Sequence, residues 1–349
     1  MDQRTPTTVS ILPPPVEDAP RSPGRSTAVR AVLAGVGAYL PHNVVTNDAL
    51  AERVETSDAW ISERTGIRQR HLAEPHETCA AMAIAAARAA LADAGAGPSE
   101  VDAIILGTTT PDQAFPATAA RVQGALGAGG FAFDVSAACS GFIYALSVAD
   151  CMVRAGQAHG VLVIGSEVYS RILNWQDRGT CVLFGDGAGA VFLRATAGAP
   201  GPEQPGIVST HLHSDGRLGD ILYIDGAVGR PDRPGHLVMN GREVFRHAVT
   251  RLAEAVGEAL AANRLTIADV DWLVPHQANA RIIDGVSRRL GLPAERVVLT
   301  VDRHANTSAA SIPLALAEAV ADGRIRRGQL VLMEALGGGL TWGSALVRM

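Results

Sequence analysis

The chain contains no lysine: every one of its 30 basic residues is arginine. That absence excludes chemistry outright. Without a side-chain amine there is no Schiff base, which removes pyridoxal-phosphate enzymes and lysine-dependent aldolases. P-loop nucleotide hydrolysis needs the lysine that closes its phosphate loop, and kinase folds need a strand-borne lysine, so both are excluded too. Cysteine is nearly as scarce. Four in 349 residues build no disulfide framework, which points to a reducing compartment and a cytoplasmic protein. No apolar run approaches the ~20 residues of a membrane helix. A net charge of −5 offers no concentrated basic face for nucleic acid.

What is present is a large apolar reserve. Hydrophobic residues make up 47% of the chain, ample for a sizeable core, and the length suits two domains or one large one. Residues 1–28 stand apart. They hold six prolines, including Pro13-Pro14-Pro15, and no helical or strand period, so a disordered arm is expected there. The arm lacks the apolar stretch of a secretory signal. From Val29 onward, apolar runs alternate with alanine-rich helical stretches. Val101–Gly107, Gly130–Val135, Gly160–Gly165 and Ala188–Leu193 predict buried strands; Thr78–Ala94, Ser140–Ala155 and Glu243–Ala262 predict helices. Such alternation predicts parallel sheets covered on both faces.

The chain also repeats itself. ALADAGAGPSEVD (90–102) aligns without a gap on ALAANRLTIADVD (259–271), and FDVSAACSGFIYAL (133–146) on TVDRHANTSAASIP (300–313). A helix, a glycine, a strand (VLVIG, LVLME) and a glycine-rich strand entry follow each copy. Four matched elements at nearly constant offset predict a duplicated α/β unit, with one half over 29–205 and the other over 206–349. Between the repeated elements, 195–240 is rich in Gly and Pro and poor in period, a long excursion of the kind that is usually functional or mobile.

Three residues stand out as chemistry. Cys139 ends a predicted strand and opens a predicted helix, where free N–H groups and the helix dipole favour thiolate over thiol. Cys79, Cys151 and Cys181 lie within helices or a strand run and fit buried structural thiols. His276, in Pro275-His276-Gln277-Ala278-Asn279, follows the end of a strand, where α/β sheets place ligands; a surface-loop histidine fits as well. Asn306 opens the helix equivalent to the one after Cys139, where a plain N-cap asparagine also fits. The repeat places Cys139 over Asn306, so the three converge if the halves pack about a pseudo-twofold axis. Gly35-Val36-Gly37 and Gly185-Asp186-Gly187-Ala188-Gly189 are partial dinucleotide motifs, but with 37 glycines they arise by chance. His211-Leu212-His213 lacks a third ligand at motif spacing and reads as a loop pair, so no metal is expected.

AACSGF, PHQAN, HANTSAAS and the terminal EALGGGLTWGSALVRM resemble the β-ketoacyl-acyl-carrier-protein synthase III family of the thiolase superfamily, from about Val36 to Met349. The resemblance implies a five-layered αβαβα fold from two duplicated halves, and a homodimer. It implies condensation of an acyl-CoA starter with malonyl-ACP, initiating fatty acid synthesis without a cofactor. Cys139 would be the nucleophile, His276 and Asn306 the donors to the malonyl thioester, and the backbone N–H groups of Cys139 and Gly338 the oxyanion hole. Trp60 and Arg178 would sandwich the CoA adenine, with Arg64 near the phosphates. Phe115 would close the partner's acyl pocket, and Leu336 line the pocket where phenylalanine is common, which widens it. Arg246, Arg281, Arg288 and Arg289 would form the basic patch for the acyl carrier protein; an ordinary solvated helix face fits them too. A starter-unit ketosynthase of polyketide or other specialised metabolism shares the same Cys-His-Asn set. A biosynthetic thiolase would need a second cysteine in the carboxyl half, and none follows Cys181. Chalcone synthases lack the CoA entrance motif, and a non-catalytic subunit would be expected to have lost the nucleophile.

Overall fold

The computed structural model describes residues 28–199, 201–226 and 232–349, so the proline-rich arm lies outside the described residues except for Ala28. In chain order the elements are β1 (Val29–Tyr39), β2 (Val44–Thr46), α1 (Asn47–Ala51), α2 (Asp58–Thr65), β3 (Gln69–His71), α3 (Cys79–Asp93), β4 (Ala103–Gly107), α4 (Thr118–Leu126), β5 (Phe131–Val135), α5 (Gly141–Arg154), β6 (Gly160–Val168) and β7 (Asp186–Ala197). They continue with β8 (Gly206–Ser214), β9 (Leu222–Ile224), β10 (Leu237–Met239), α6 (Gly241–Ala262), β11 (Trp272–Pro275), α7 (Ala280–Leu290), α8 (Val301–His304), α9 (Ser311–Ala321), β12 (Leu330–Gly337) and β13 (Thr341–Arg348).

Two sheets share one plan. The first runs β1-β7-β6-β4-β5 and the second β8-β13-β12-β11. In each, the first two pairings are antiparallel and the next is parallel. The counterpart of β5 shrinks in the second sheet to a single parallel bridge, Leu273 to Val297. The sheets are therefore mixed rather than wholly parallel, and the reason is the connections. A parallel neighbour needs a crossover long enough for a helix, but Gly338-Gly339-Leu340 alone join β12 to β13.

Helix α3 covers the outer face of the first sheet, α6 that of the second, and α5 and α9 lie between the sheets, which completes the αβαβα sandwich. The central core joins Ile143 and Leu146 of α5 and Leu316 of α9 to Ile105, Val163 and Val191 on one side and Val331 and Met333 on the other. Every residue of β4 and β6 is buried, hence their unbroken apolar runs. The glycine strings serve this packing. A Cβ at Gly37 would lie 2.2 Å from the Ala86 carbonyl oxygen of α3, and one at Gly189 2.6 Å from the Leu314 nitrogen of α9.

Segment 195–240 is only partly an excursion. It contains β8, a full strand of the second sheet, hidden from the sequence pattern because it is an edge whose Ser209, Thr210, His211 and His213 are half-buried. His211 and His213 accordingly sit on a strand rather than a loop. Both meet Glu258 of α6, at 3.3 and 2.6 Å.

Candidate active site

Each of the three singled-out residues lies where an element begins or ends. Cys139 sits in a single 3₁₀ turn (Ala138–Ser140) between β5 and α5, and Asn306 precedes the matching turn (Ser308–Ala310) that enters α9. The residue before each is an alanine in the left-handed region, Ala138 at φ 46° and Ala305 at φ 58°. Such a conformation is strained for any residue but glycine, and the same strain recurs at equivalent places in the repeat. His276 follows β11, its amide N–H donating to the Glu334 carbonyl at 2.8 Å. All three are buried and line one cavity of about 1000 Å³.

Their surroundings fix both orientation and charge. His276 Nδ1 lies 2.6 Å from Ser311 Oγ, which also accepts from the Gln277 N–H at 3.3 Å. Burial pulls the imidazole down to about 3, so it is neutral at working pH. Asn306 Oδ1 accepts from the Ser308 N–H at 2.8 Å, which orients the amide and leaves its NH₂ group for another acceptor. At Cys139 the expectation of a favoured thiolate is reversed. Burial, seconded by nearby Glu167, pushes the thiol up to about 11, outweighing the Ser308 and Tyr169 hydroxyls that act the other way. The helix start is there, but burial of the thiol outweighs it.

The glycine run at the end of β12 packs onto the Cys139 turn. A Cβ at Gly337 would stand 2.5 Å from the Cys139 nitrogen, and one at Gly338 2.6 Å from the Leu222 carbonyl oxygen. Thr341 Oγ1 donates to the Ala137 carbonyl at 2.9 Å, tying the two segments together. Gly338 and Leu336 both line the cavity.

The cavity runs outward to Trp60, Arg64 and Arg281. Two guanidiniums lie over the Trp60 indole, Arg64 at 4.7 Å and Arg178 at 5.2 Å from its centroid. Thus Arg64 also stacks on the ring, in the geometry of a cation–π contact. Arg281 is at the cavity mouth, donating to the Glu63 carbonyl at 3.0 Å. Arg246, Arg288 and Arg289 are exposed on α6 and α7, with Arg246 paired to Glu243 and Arg288 to Asp284. Phe115 is 85% exposed and is not among the residues lining the cavity.

Several supporting residues are not apparent from the sequence. Glu167 lies at the end of all-buried β6 and takes hydrogen bonds from the side chains of Thr108, Thr109, Thr110 and Ser308. A charge at the end of a mostly apolar strand is its only signal. Tyr169, Ser308 and Ser311 carry none. Of the other cysteines, Cys79 and Cys181 are buried, the latter in a turn rather than a strand; Cys151 is exposed on α5, against expectation. Its position on the helix faces away from the central core.

A duplicated αβαβα sandwich, with a cysteine and an asparagine at its two equivalent central-helix entries, is the thiolase-type architecture. Comparison with known proteins narrows it. Residues 133–216 match the family described as 3-oxoacyl-(acyl-carrier-protein) synthase III, and 260–349 its C-terminal family. The β-ketoacyl-(acyl-carrier-protein) synthase III of Acidiphilium cryptum is 71% identical over 91% of this chain and 99% of its own. The crystal structure of the Aquifex aeolicus 3-oxoacyl-(acyl-carrier-protein) synthase III is 46% identical, covers 91% of this chain and 100% of its own, and superposes with a TM-score of 0.86. A priming β-ketosynthase from a polyketide pathway is 36% identical, at 94% and 99% coverage and a TM-score of 0.87. The chain belongs to the β-ketoacyl-acyl-carrier-protein synthase III family. It is an acyltransferase that condenses an acyl-CoA starter with malonyl-ACP, initiating fatty acid synthesis.

Proposed function

We propose that Cys139, His276 and Asn306 carry this reaction in two stages. In the first, the Cys139 sulphur attacks the acyl-CoA thioester. The acyl group moves to Cys139, and the thiol's proton ends on the released CoA sulphur. A covalent intermediate divides one hard condensation into two easier steps. In the second, malonyl-ACP loses CO₂ and leaves an enolate on its thioester carbonyl oxygen. His276 and Asn306 donate to that oxygen. In this assignment the Ser311 hydroxyl, which accepts from the Gln277 N–H, gives its own proton to Nδ1 of His276, 2.6 Å away, and the ring proton sits on Nε2 as the donor. A neutral imidazole suits the task, since it polarises the carbonyl without surrendering a proton. Asn306 presents its free NH₂ group. The enolate carbon then attacks the Cys139 thioester, whose oxyanion meets the N–H groups of Cys139 and Gly338; its collapse expels the Cys139 thiolate, which takes a proton from solvent to restore the thiol.

The observation that carries this reading is the convergence of the three side chains on one cavity, with the imidazole neutral and both donor groups oriented at the entry to α9, His276 by the Ser311 hydroxyl and Asn306 by the Ser308 N–H. Trp60, Arg64 and Arg178 receive the CoA adenine and phosphates at the mouth, where guanidiniums bind phosphate bidentately. Arg246, Arg288 and Arg289 form the carrier-protein patch, and Arg281 sits between it and the cavity. The reaction needs no resident cofactor. A homodimer is supported by the free edge of β5, where Phe131 is exposed, and by the protruding Phe115, which would close the partner's acyl pocket. The 71% identity to a β-ketoacyl-(acyl-carrier-protein) synthase III, against 36% to the polyketide ketosynthase, favours the primary pathway. Among the described residues no helix is long and apolar enough to cross a membrane, in keeping with a cytoplasmic enzyme.

The separation of stages is the test. His276→Ala and Asn306→Ala should still take an acyl group from acyl-CoA, but release CO₂ from malonyl-ACP ~10²–10³-fold more slowly, the usual cost of one lost oxyanion donor. Full decarboxylation by both variants contradicts the assignment.

A further inference from the structure

Arg70, the middle residue of β3, is fully buried, and the condensation as described does not use it. Its hydrogen-bond partners are neutral oxygens. Nη1 donates to the Val45 carbonyl at 3.2 Å and to Asn47 Oδ1 at 2.8 Å, and Nη2 donates to the Val182 carbonyl at 2.9 Å. Nε is buried without a partner. Burial pulls the guanidinium down to about 10, so it stays charged at working pH. A buried charge with no counter-ion is costly, and an apolar side chain would fill the space without that cost. What arginine adds is a planar fork of donors that holds two segments of chain at once.

One of those segments holds Asn306. Residues 182–185 run beside it, with Phe184 and Asn306 forming a parallel bridge. The Asn306 N–H donates to the Leu183 carbonyl at 2.9 Å, and the Gly185 N–H donates to the Asn306 carbonyl at 3.0 Å, so the Asn306 backbone is gripped on both sides. Val182, where the Arg70 fork attaches, opens this stretch, and Val182, Leu183 and Phe184 line the cavity together with Asn306. Gly185 lies tight against the same side chain: a Cβ there would stand 3.2 Å from the Arg70 Cβ. The other arm of the fork reaches a fixed point. Asn47 Nδ2 donates to Asp58 Oδ1 at 2.8 Å and to the Ile67 carbonyl at 2.7 Å. Asp58 is the first residue of α2, the helix that carries Trp60 and Arg64. Arg68, just before β3, supports the chain on the other flank of Asn306, its N–H donating to the Asp302 carbonyl of α8 at 2.8 Å.

We propose that Arg70 is a positioning residue for decarboxylation: its guanidinium fixes residues 182–185 against the anchored Asn47, and through them sets where the Asn306 amide meets the enolate oxygen. The inference rests on Asn306 being a donor to that oxygen. The Ser308 N–H turns the amide, while Leu183 and Gly185 hold the backbone from which it projects. A misplacement of about 1 Å far from the chemistry can slow a step ~10²-fold, so a loosened 182–185 segment should show in the step that uses Asn306. The other two reacting groups have separate supports. The Cys139 turn packs against Gly337, and His276 is held by the Ser311 hydroxyl. The mouth is also held independently, since Asn47 keeps its own bonds to Asp58 and Ile67.

The experiment is a double-mutant cycle in which CO₂ release from malonyl-ACP and acyl transfer from acyl-CoA are measured separately. Arg70→Met removes the fork and keeps much of the bulk. It should slow CO₂ release about 10–100-fold, with acyl transfer and the KM for acyl-CoA little changed. In the Asn306→Ala enzyme the same substitution should cost nothing further, because the group it positions is gone. A merely structural arginine would slow both stages together, or would cost as much in Asn306→Ala as in the wild type. Either result overturns the proposal, as does wild-type CO₂ release by Arg70→Met. Should Arg70→Met not fold, Arg70→Lys takes its place: an ammonium keeps the charge but not the planar fork, so a smaller loss confined to CO₂ release is expected. No loss, or an equal loss in both stages, then overturns the proposal. Wild-type CO₂ release by Asn306→Ala alone would mean that the donor assignment has failed, and the proposal falls with it.

Discussion

Replacing Ser311 with alanine isolates what orientation of His276 contributes. The hydroxyl sits 2.6 Å from Nδ1 and also takes the Gln277 N–H. Alanine leaves both buried groups without that partner, and a buried polar group left unpaired costs about 1–3 kcal/mol. Part of the cost appears as stability. The part that matters for catalysis is the ring: with nothing donating to Nδ1, the preference for the Nε2–H tautomer disappears. Equal tautomers alone cost only about twofold; the larger loss is the fixed orientation of the ring, and about 1–3 kcal/mol lost there corresponds to a ~10–100-fold slower decarboxylation. Acylation of Cys139 does not use the Nε2 proton and should change little. The assay compares release of radiolabelled CO₂ from malonyl-ACP by pre-acylated enzyme with the rate of acyl transfer from acyl-CoA, wild type against Ser311→Ala. Ser311→Thr retains a hydroxyl and should restore much of the loss. Wild-type CO₂ release from a folded Ser311→Ala enzyme would show that the serine does not set the tautomer, and the reasoning fails.

Three other outcomes follow from the same geometry. Trp60→Ala removes the ring on which Arg64 and Arg178 stack, and should raise the KM for acyl-CoA about tenfold with little change in kcat. Glu334 is buried with Oε2 unpartnered, and burial pushes its carboxyl up to about 8. The folded state therefore holds this proton more tightly than the unfolded one, and stability falls as pH rises from about 4.5 towards 8; Glu334→Gln should flatten that decline in a series of melting curves. His276 works in the opposite sense: its folded value of about 3 lies below the unfolded one, so stability is lost as pH falls below about 6.5, a loss His276→Gln should reduce in acid-melting curves.

The site was legible where backbone geometry and the repeat coincide. Cys139 and Asn306 announced themselves because each opens a central helix at matched positions, and His276 because it ends a strand. What the repeat could not convey was solvation. The helix start at Cys139 suggested a thiolate, while the three-dimensional burial of the turn decides for the thiol, with Glu167, distant in sequence, acting in the same direction. The mixed sheets escaped a pattern that reports burial rather than direction: β6 and β7 both read as buried strands, and burial does not say which way each runs. Edge strand β8 was lost for a related reason, its half-exposed face mixing polar residues into the period. Lysine's absence acquires a positive side. Each cation at the cavity mouth is an arginine, stacked on Trp60 or set at the entrance, and the reacting groups need no amine.

The central claim is that the acyl group rides on Cys139. Intact-protein mass spectrometry after incubation with a panel of acyl-CoAs should show the wild type gaining the mass of one acyl group, with Cys139→Ser gaining none. An undiminished acyl adduct on Cys139→Ser would contradict the account.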